Sequence, residues 1–362
     1  MSSPNSYVHV SPAAAIRFTT ALLTAHSVSP KDASIVAHAL VEADLRGHDT
    51  HGITRLPSYI ARIRSGVLSP SATPTLRQFT PVVAHLDANN AFGFVAAHAG
   101  MNAAIEMART YGIGMVSVKH SNHFGMSAWI VQQALDAGML SFVFTNSSPA
   151  LPVYGGKGKL MGVSPIAAGA PAGKRGKPMI VDMAPSVVAR GKVYKAVRRG
   201  ERIPEGWALD KNGKPTTDPK EALEGVMLAM GGPKGSALAV MMDVFSGVLS
   251  GSAFAGGVAS PYDASRVADV GHFLVAIKLD LFMSRDEFGE RMDTLYETVV
   301  RAERAEGVER IYFPGEVELE TKEKRLREGI PFVQTEVDAL NEEAKETGVE
   351  YLRTIAKERA RI

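Results

Sequence analysis

Between residues 81 and 145, short apolar runs alternate with stretches long enough for helices. Residues 81–86 read as a strand. Residues 96–111, rich in alanine and methionine, read as a helix closed by Gly112. Strand 114–118, helix 127–137 and strand 140–145 follow. Residues 179–181, ending at Asp182, and 271–277 read as further strands. Apolar runs of this length need cover on their faces, and the intervening helices supply it. The middle of the chain therefore carries a sheet.

Both ends read as helical. Ser11-Pro12 and Ser29-Pro30 each place a capping hydroxyl before a proline suited to a first helical turn. A third helix over 54–64 stops at Gly66, with Pro57 tolerable in its first turn. Residues 285–306, 316–327 and 336–359 are charged helices, and 309–312 is strand-like. Residues 146–176 are rich in glycine and proline. Residues 192–219 read as a polar surface excursion with a turn at Asn212-Gly213. Residues 234–249 read as a deeply buried apolar helix. The expected class is α/β (α+β). Residues 1–78 and 285–362 form one helical unit, and the sheet-bearing unit 79–284 is inserted between them.

Composition removes several function classes. Lys plus Arg number 40 against 38 for Asp plus Glu, so no bulk charge favours nucleic acid. There is no cysteine, which excludes thiolate catalysis, disulfides and iron–sulfur clusters and fits a cytoplasmic setting. No leader-like segment is visible at the N-terminus. No apolar stretch reaches the roughly 20 residues of a membrane span.

Two histidine pairs hold the chemistry: His48-Asp49-Thr50-His51 and His120-Ser121-Asn122-His123. Imidazole moves protons near neutral pH. His51, Arg55 and Tyr59 are spaced four apart, so one helical face can present them. Arg55 suits a carboxylate through two parallel hydrogen bonds, and an imidazole beside it suits a carbonyl proton. The same spacing also fits a solvated face with Thr50 as a cap. The second pair follows a buried strand, and Gly125 permits a sharp turn; a loop satisfying its own backbone fits equally. Two H-x-x-H pairs also suit a zinc ion, but the H-E-x-x-H signature is missing. No metal is expected.

Glycine-rich segments raise the question of phosphate. Gly156 to Gly162 misses G-x-G-x-x-G, because Met161 stands where the third glycine belongs. Gly231-Gly232-Pro233-Lys234 opens an apolar helix, where free N–H groups and Lys234 suit an anion; a glycine-rich helix start packed against another backbone fits equally. Asp182 suits a ribose hydroxyl, or caps the helix that follows it. Phe313-Pro314-Gly315-Glu316 is by itself an ordinary turn.

Taken together, these segments resemble the malate/L-lactate dehydrogenase family that is distinct from the classical Rossmann enzymes. The matching stretches are residues 46–59, 121–125, 145–148, 181–184, 232–235, 271–273 and 314–316, in the family's order. The resemblance implies a non-Rossmann NAD- or NADP-dependent oxidoreductase acting on 2-hydroxy or 2-oxo acids, or on cyclic imino acids. It also implies a homodimer. His51 and His123 become the acid/base candidates, and Thr50, Arg55 and Tyr59 the substrate contacts. His123, Ser147, Asp182, Met183, Ala184, Lys234, Pro314, Gly315 and Glu316 fall in cofactor-binding segments. Thr50 stands where the family often has serine. The rival readings are a histidine-ligated metal hydrolase and a non-catalytic ligand-binding protein.

Overall fold

The two ends of the chain are stitched together. In the computed structural model, which describes residues 7–356, strand Tyr7–Val10 pairs antiparallel with Ile330–Val333. Helices Pro12–Ala25 and Pro30–Leu45 pack beside that ribbon. Each begins as its sequence predicts: Ser11 Oγ accepts from Ala14 N at 3.2 Å, and Ser29 Oγ from Asp32 N at 3.1 Å. Val10, Leu22, Leu40, Ile60, Phe332 and Leu340 share one core, which joins the N-terminal helices to helix Gln334–Thr347. Expected helical residues 357–359 lie outside the described residues.

The central sheet has seven strands. Their order is Thr75–Thr80, Val83–Asp87, Ile113–Ser121, Val270–Lys278, Met139–Thr145, Ile166–Ala170 and Met179–Met183. Only Val83–Asp87 and Ile113–Ser121 run parallel; every other neighbour is antiparallel. A Rossmann sheet is built from parallel βαβ units, so this sheet is not one. Helices Gly93–Tyr111 and Ser127–Asp136 cover one face, through Met101 and Ile130 against Val116, Val118 and Leu274. Glycine lets the cover come close. A Cβ on Gly169 would sit 2.3 Å from Val131 and 2.7 Å from Leu135.

Several segments depart from their sequence pattern. Thr75–Thr80 is an edge strand exposed along its whole length, so it carries no burial alternation to read. Residues 309–312 form no strand. The polar excursion contains helix Arg190–Arg199, which buries Val193 and Ala196 in a small core with Leu151, Ile203 and Met227. The expected buried helix 234–249 is helix Pro233–Asp243 followed by a π-helical turn, Val244–Val248. It is not deeply buried: Val240, Val244, Val248 and Leu249 are exposed. Helix Arg285–Val300 packs on the sheet side, where Met292 meets Ala170 and Phe313.

Candidate active site

A buried carboxylate shapes the first histidine pair. Asp44 is fully buried at the end of helix Pro30–Leu45 and accepts from Ile53 N at 2.9 Å. Burial raises its pKa well above the usual carboxylate range. Gly52 packs onto this carboxyl; a Cβ there would lie 1.6 Å from Oδ1. Two 3₁₀ turns result, Asp49–His51 and Ile53–Arg55, ahead of helix Leu56–Arg64. One continuous helical face for His51, Arg55 and Tyr59 is therefore replaced by a break at Gly52, where the backbone is extended. The three side chains still line a common cavity. Thr50 Oγ1 lies 3.0 Å from His51 Nδ1, and Arg55 Nε donates to Thr50 O at 2.6 Å.

The second pair divides its labour. Strand Ile113–Ser121 runs through His120, which has a positive φ of 49° and points its Nδ1 at the Asp87 carboxylate, 3.1 Å away. Asn122 is buried and donates to Ala91 O at 2.9 Å and Asn90 Oδ1 at 3.0 Å. The next residue, His123, turns to the cavity. Its Nδ1 is 2.8 Å from Tyr59 Oη and accepts from Gly125 N at 3.3 Å. Its ring stacks on His51 with centroids 5.6 Å apart.

Behind this turn lies a third imidazole. His272, fully buried on the central strand, sits 2.8 Å from both Thr145 Oγ1 and Ser121 Oγ. Burial lowers its pKa to about 3. His51 is also held down to about 3, by burial and then by the charge of Arg55. The same two causes push His123 well below the ordinary imidazole value. Burial raises the Tyr59 phenol, so it stays protonated. The cavity thus presents neutral imidazoles beside a guanidinium.

The cavity holds about 1000 Å³, at the upper end for small-molecule and cofactor sites. Its walls include Thr50, His51, Arg55, Tyr59, His123, Ser147, Asp182 and Ala184, so most of the sequence-derived candidates converge. Three buried wall atoms have no partner, Arg55 Nη1, Ser127 Oγ and Ser147 Oγ. Such groups are costly unless a ligand satisfies them. A nicotinamide dinucleotide fits the donor set: Ser147 offers an orphaned hydroxyl and Ala184 a small wall. Asp182 also closes the end of helix Ser127–Asp136, accepting from Ala128 N at 2.8 Å, and does not cap the helix after it. Burial raises its pKa.

Met183, Lys234, Pro314, Gly315 and Glu316 do not line this cavity. Met183 and Lys234 face outward. Glu316 is buried and saturated by Tyr296 Oη at 2.9 Å, Phe313 N at 3.0 Å and Arg310 Nη2 at 2.6 Å. Its neighbours brace the strand that carries Asp182. Pro314 O accepts from Ile180 N at 3.0 Å, and Gly315, at φ 89°, packs on Ile180. Among the described residues, no group of three His, Asp or Glu side chains is placed to hold a metal ion. Two wall residues carried no sequence signal. Arg62 lies one turn beyond Tyr59, and Tyr262 sits in a loop 200 positions further on.

A family model described as malate/L-lactate dehydrogenase matches residues 10–341. The chain is 36% identical over 355 residues to a malate dehydrogenase of Pyrococcus abyssi, covering 96% of this chain and 97% of that one. It is 36% identical over 285 residues to a (2R)-3-sulfolactate dehydrogenase (NADP(+)) of Chromohalobacter salexigens, covering 78% and 84%. The solved structure of sulfolactate dehydrogenase from Methanocaldococcus jannaschii superposes with a TM-score of 0.91 at 34% identity. It covers 95% of this chain and all of that one.

Proposed function

The chain belongs to the malate/L-lactate dehydrogenase family, and from that premise we propose that it transfers hydride between NAD or NADP and a small 2-hydroxy acid or its 2-oxo partner. The observation that carries this reading is the unpartnered Arg55 Nη1, buried in the wall that also holds His51 and His123. A guanidinium grips a carboxylate with two parallel bonds. The carboxylate then fixes where the reacting carbon lies.

Each residue takes a role from its surroundings. When bound, the nicotinamide supplies or accepts the hydride. Ser147, Asp182 and Ala184 would hold it. His123 has its Nδ1 occupied by Tyr59 and Gly125, which leaves Nε2 for the oxygen of the reacting carbon. In reduction that oxygen gains a proton, and in oxidation it loses one. His51, stacked on His123 and tied to Thr50, is the second imidazole of the pair. Substrate carboxylate at Arg55 offsets the second cause of depression in both rings, after burial, so binding raises their basicity in part.

The assembly and setting belong to the same proposal. Val240, Val244 and Val248 are spaced four apart and exposed with Leu249, an apolar stripe suited to a homodimer. The cytoplasm suits a cysteine-free chain. Among the described residues, no helix is long and apolar enough to cross a membrane. We also propose that residues 1–78 and 285–362 act as the substrate and dimer unit and 79–284 as the cofactor unit, with helix Arg285–Val300 resting on the latter.

Loss of reduced-nicotinamide absorbance tests the reading. Both cofactors are offered with pyruvate, oxaloacetate, sulfopyruvate, longer 2-oxo acids and cyclic imines. Turnover of one of the acids is expected. No turnover with any of them removes the 2-oxo acid reading, and turnover of the imines alone reassigns the substrate class.

A further inference from the structure

Arg62 is one of the largest fully buried side chains, yet no carboxylate pairs with it. Its guanidinium donates to backbone carbonyls of one distant loop: to Asp263 O, to Arg266 O at 3.2 Å and to Ser260 O at 3.4 Å. It also reaches Asn122 Oδ1 at 3.4 Å, on the residue next to His123, and Val67 O at 3.5 Å. A buried charge costs several kcal/mol unless its donors are satisfied. Here carbonyl dipoles satisfy its donors, with the Asp263 charge acting on it as well. An arginine spent this way fixes the position of the loop that supplies the carbonyls.

That loop is also braced from within. Ala259 N donates to Ala268 O at 3.1 Å and Asp263 N to Ser260 O at 2.9 Å. Arg266 Nη1 donates to Gly257 O at 3.2 Å. The turn lifts Tyr262 to the cavity rim, where the residue is 69% exposed. The Arg55 guanidinium lies over that ring, 4.7 Å from the centroid. Arg55 is thereby held on two sides, by the ring on its face and by Thr50 O at its Nε. Nη1 is left unpartnered. A planar cation stacked on an aromatic face keeps its edge free for a carboxylate.

We infer that Tyr262 is a positioning residue for substrate binding: its ring fixes the plane of the Arg55 guanidinium, and Arg62 bolts the loop that holds the ring there. This rests on the reading of Arg55 as the carboxylate clamp. The ring matters and the hydroxyl does not. Arg62 acts through Tyr262, so the two share one effect.

The test uses the full-length chain and two readouts. Calorimetry measures binding of oxalate, with and without reduced cofactor, to the native chain and to Tyr262→Ala, Tyr262→Phe, Arg62→Lys and the Arg62→Lys/Tyr262→Ala pair. Steady-state kinetics with the best 2-oxo acid follows in parallel. Tyr262→Ala is expected to weaken oxalate and raise KM about three- to fivefold, while kcat changes less than about twofold, the scale of one exposed cation–π contact. Tyr262→Phe restores both. Arg62→Lys weakens oxalate, and the double variant is no weaker than Tyr262→Ala alone. Unchanged oxalate binding in Tyr262→Ala overturns the inference, as does a Phe variant as weak as Ala, or full additivity in the pair. Tyr262 is exposed, so its variants remain informative where Arg62→Lys is unstable. A native chain that binds no oxalate also overturns it. A native chain that binds oxalate in the expected pattern yet turns over no substrate leaves the inference standing and removes the proposed function.

Discussion

The Tyr59 hydroxyl lies 2.8 Å from Nδ1 of His123, and Gly125 N–H approaches the same nitrogen at 3.3 Å. A backbone N–H only donates, so Nδ1 is an acceptor. The phenol, kept protonated by its burial, then donates as well. The neutral imidazole must carry its hydrogen on Nε2. The Gly125 N–H therefore selects the tautomer, and the Tyr59 hydroxyl, 64 positions away in the chain, supports it as a second donor.

Tyr59→Phe removes that donor and little else, since the ring remains packed against Phe92 and Phe94. Loss of a hydrogen bond worth about 1–1.5 kcal/mol lowers kcat about tenfold. His123→Ala removes the proton-transfer group itself, and a fall of about 10²–10⁴ is expected. Stopped-time assays of both variants at one pH check this. A Phe variant within twofold of native would remove Tyr59 from the role.

Arg55 governs basicity as well as binding. Its charge is the second cause, after burial, of the depressed His51 and His123. A bound carboxylate offsets it. The apparent imidazole pKa is therefore expected to be higher in the pH profile of kcat, which reports the complex, than in that of kcat/KM, which reports the free enzyme. Arg55→Gln raises the pKa in the free enzyme and raises KM. Coincident profiles in the native chain would show that Arg55 does not couple to the imidazoles.

The helices at both ends and five of the seven central-sheet strands were legible because caps, prolines and apolar runs act locally, whereas the ribbon Tyr7–Val10/Ile330–Val333 was not read. Ser11, Ser29 and Gly112 each mark a boundary the structure keeps. The strand Ile166–Ala170 was not legible. Its small residues are chosen for close approach of Val131 and Leu135, a long-range demand. At the site, histidine spacing pointed to His51, Arg55 and Tyr59, though as one helix face. The Gly52 break depends on Asp44, eight residues away, whose carboxyl fills the space. Arg62 and Tyr262 are joined only by folding. Nothing near either in sequence reports the other.

Gly52 is held by sterics, not by backbone conformation, since its φ of −90° suits any residue. Gly52→Ala puts a methyl where the Asp44 carboxyl lies. Either the carboxyl moves and Ile53 N loses its buried acceptor, or the 3₁₀ turn bearing His51 shifts. Overpacking of this kind costs about 1–3 kcal/mol, and an orphaned buried N–H about 1–3 more. Urea unfolding and kcat should fall together. A variant with native stability and native kcat would show that the turn has slack.

His272 gives the fold a sensitivity to acid. Its folded pKa is about 3 against an unfolded value near 6.5. Below pH 6.5 the unfolded chain binds a proton there that the folded chain refuses until about pH 3. Stability therefore falls as pH drops through this window. Between pH 7.5 and pH 5 the loss from His272 alone is about 2 kcal/mol. His51 and His123 act with the same sign. Asp44 and Asp182 act with the opposite one, because a raised carboxyl pKa makes the folded chain take up protons first. Subtraction isolates the imidazole. His272→Gln keeps polar atoms toward Ser121 and Thr145 and cannot titrate. Urea unfolding at pH 7.5 and pH 5 should show the native chain losing about 2 kcal/mol more than the variant, and parallel losses would mean that His272 is protonated in the fold.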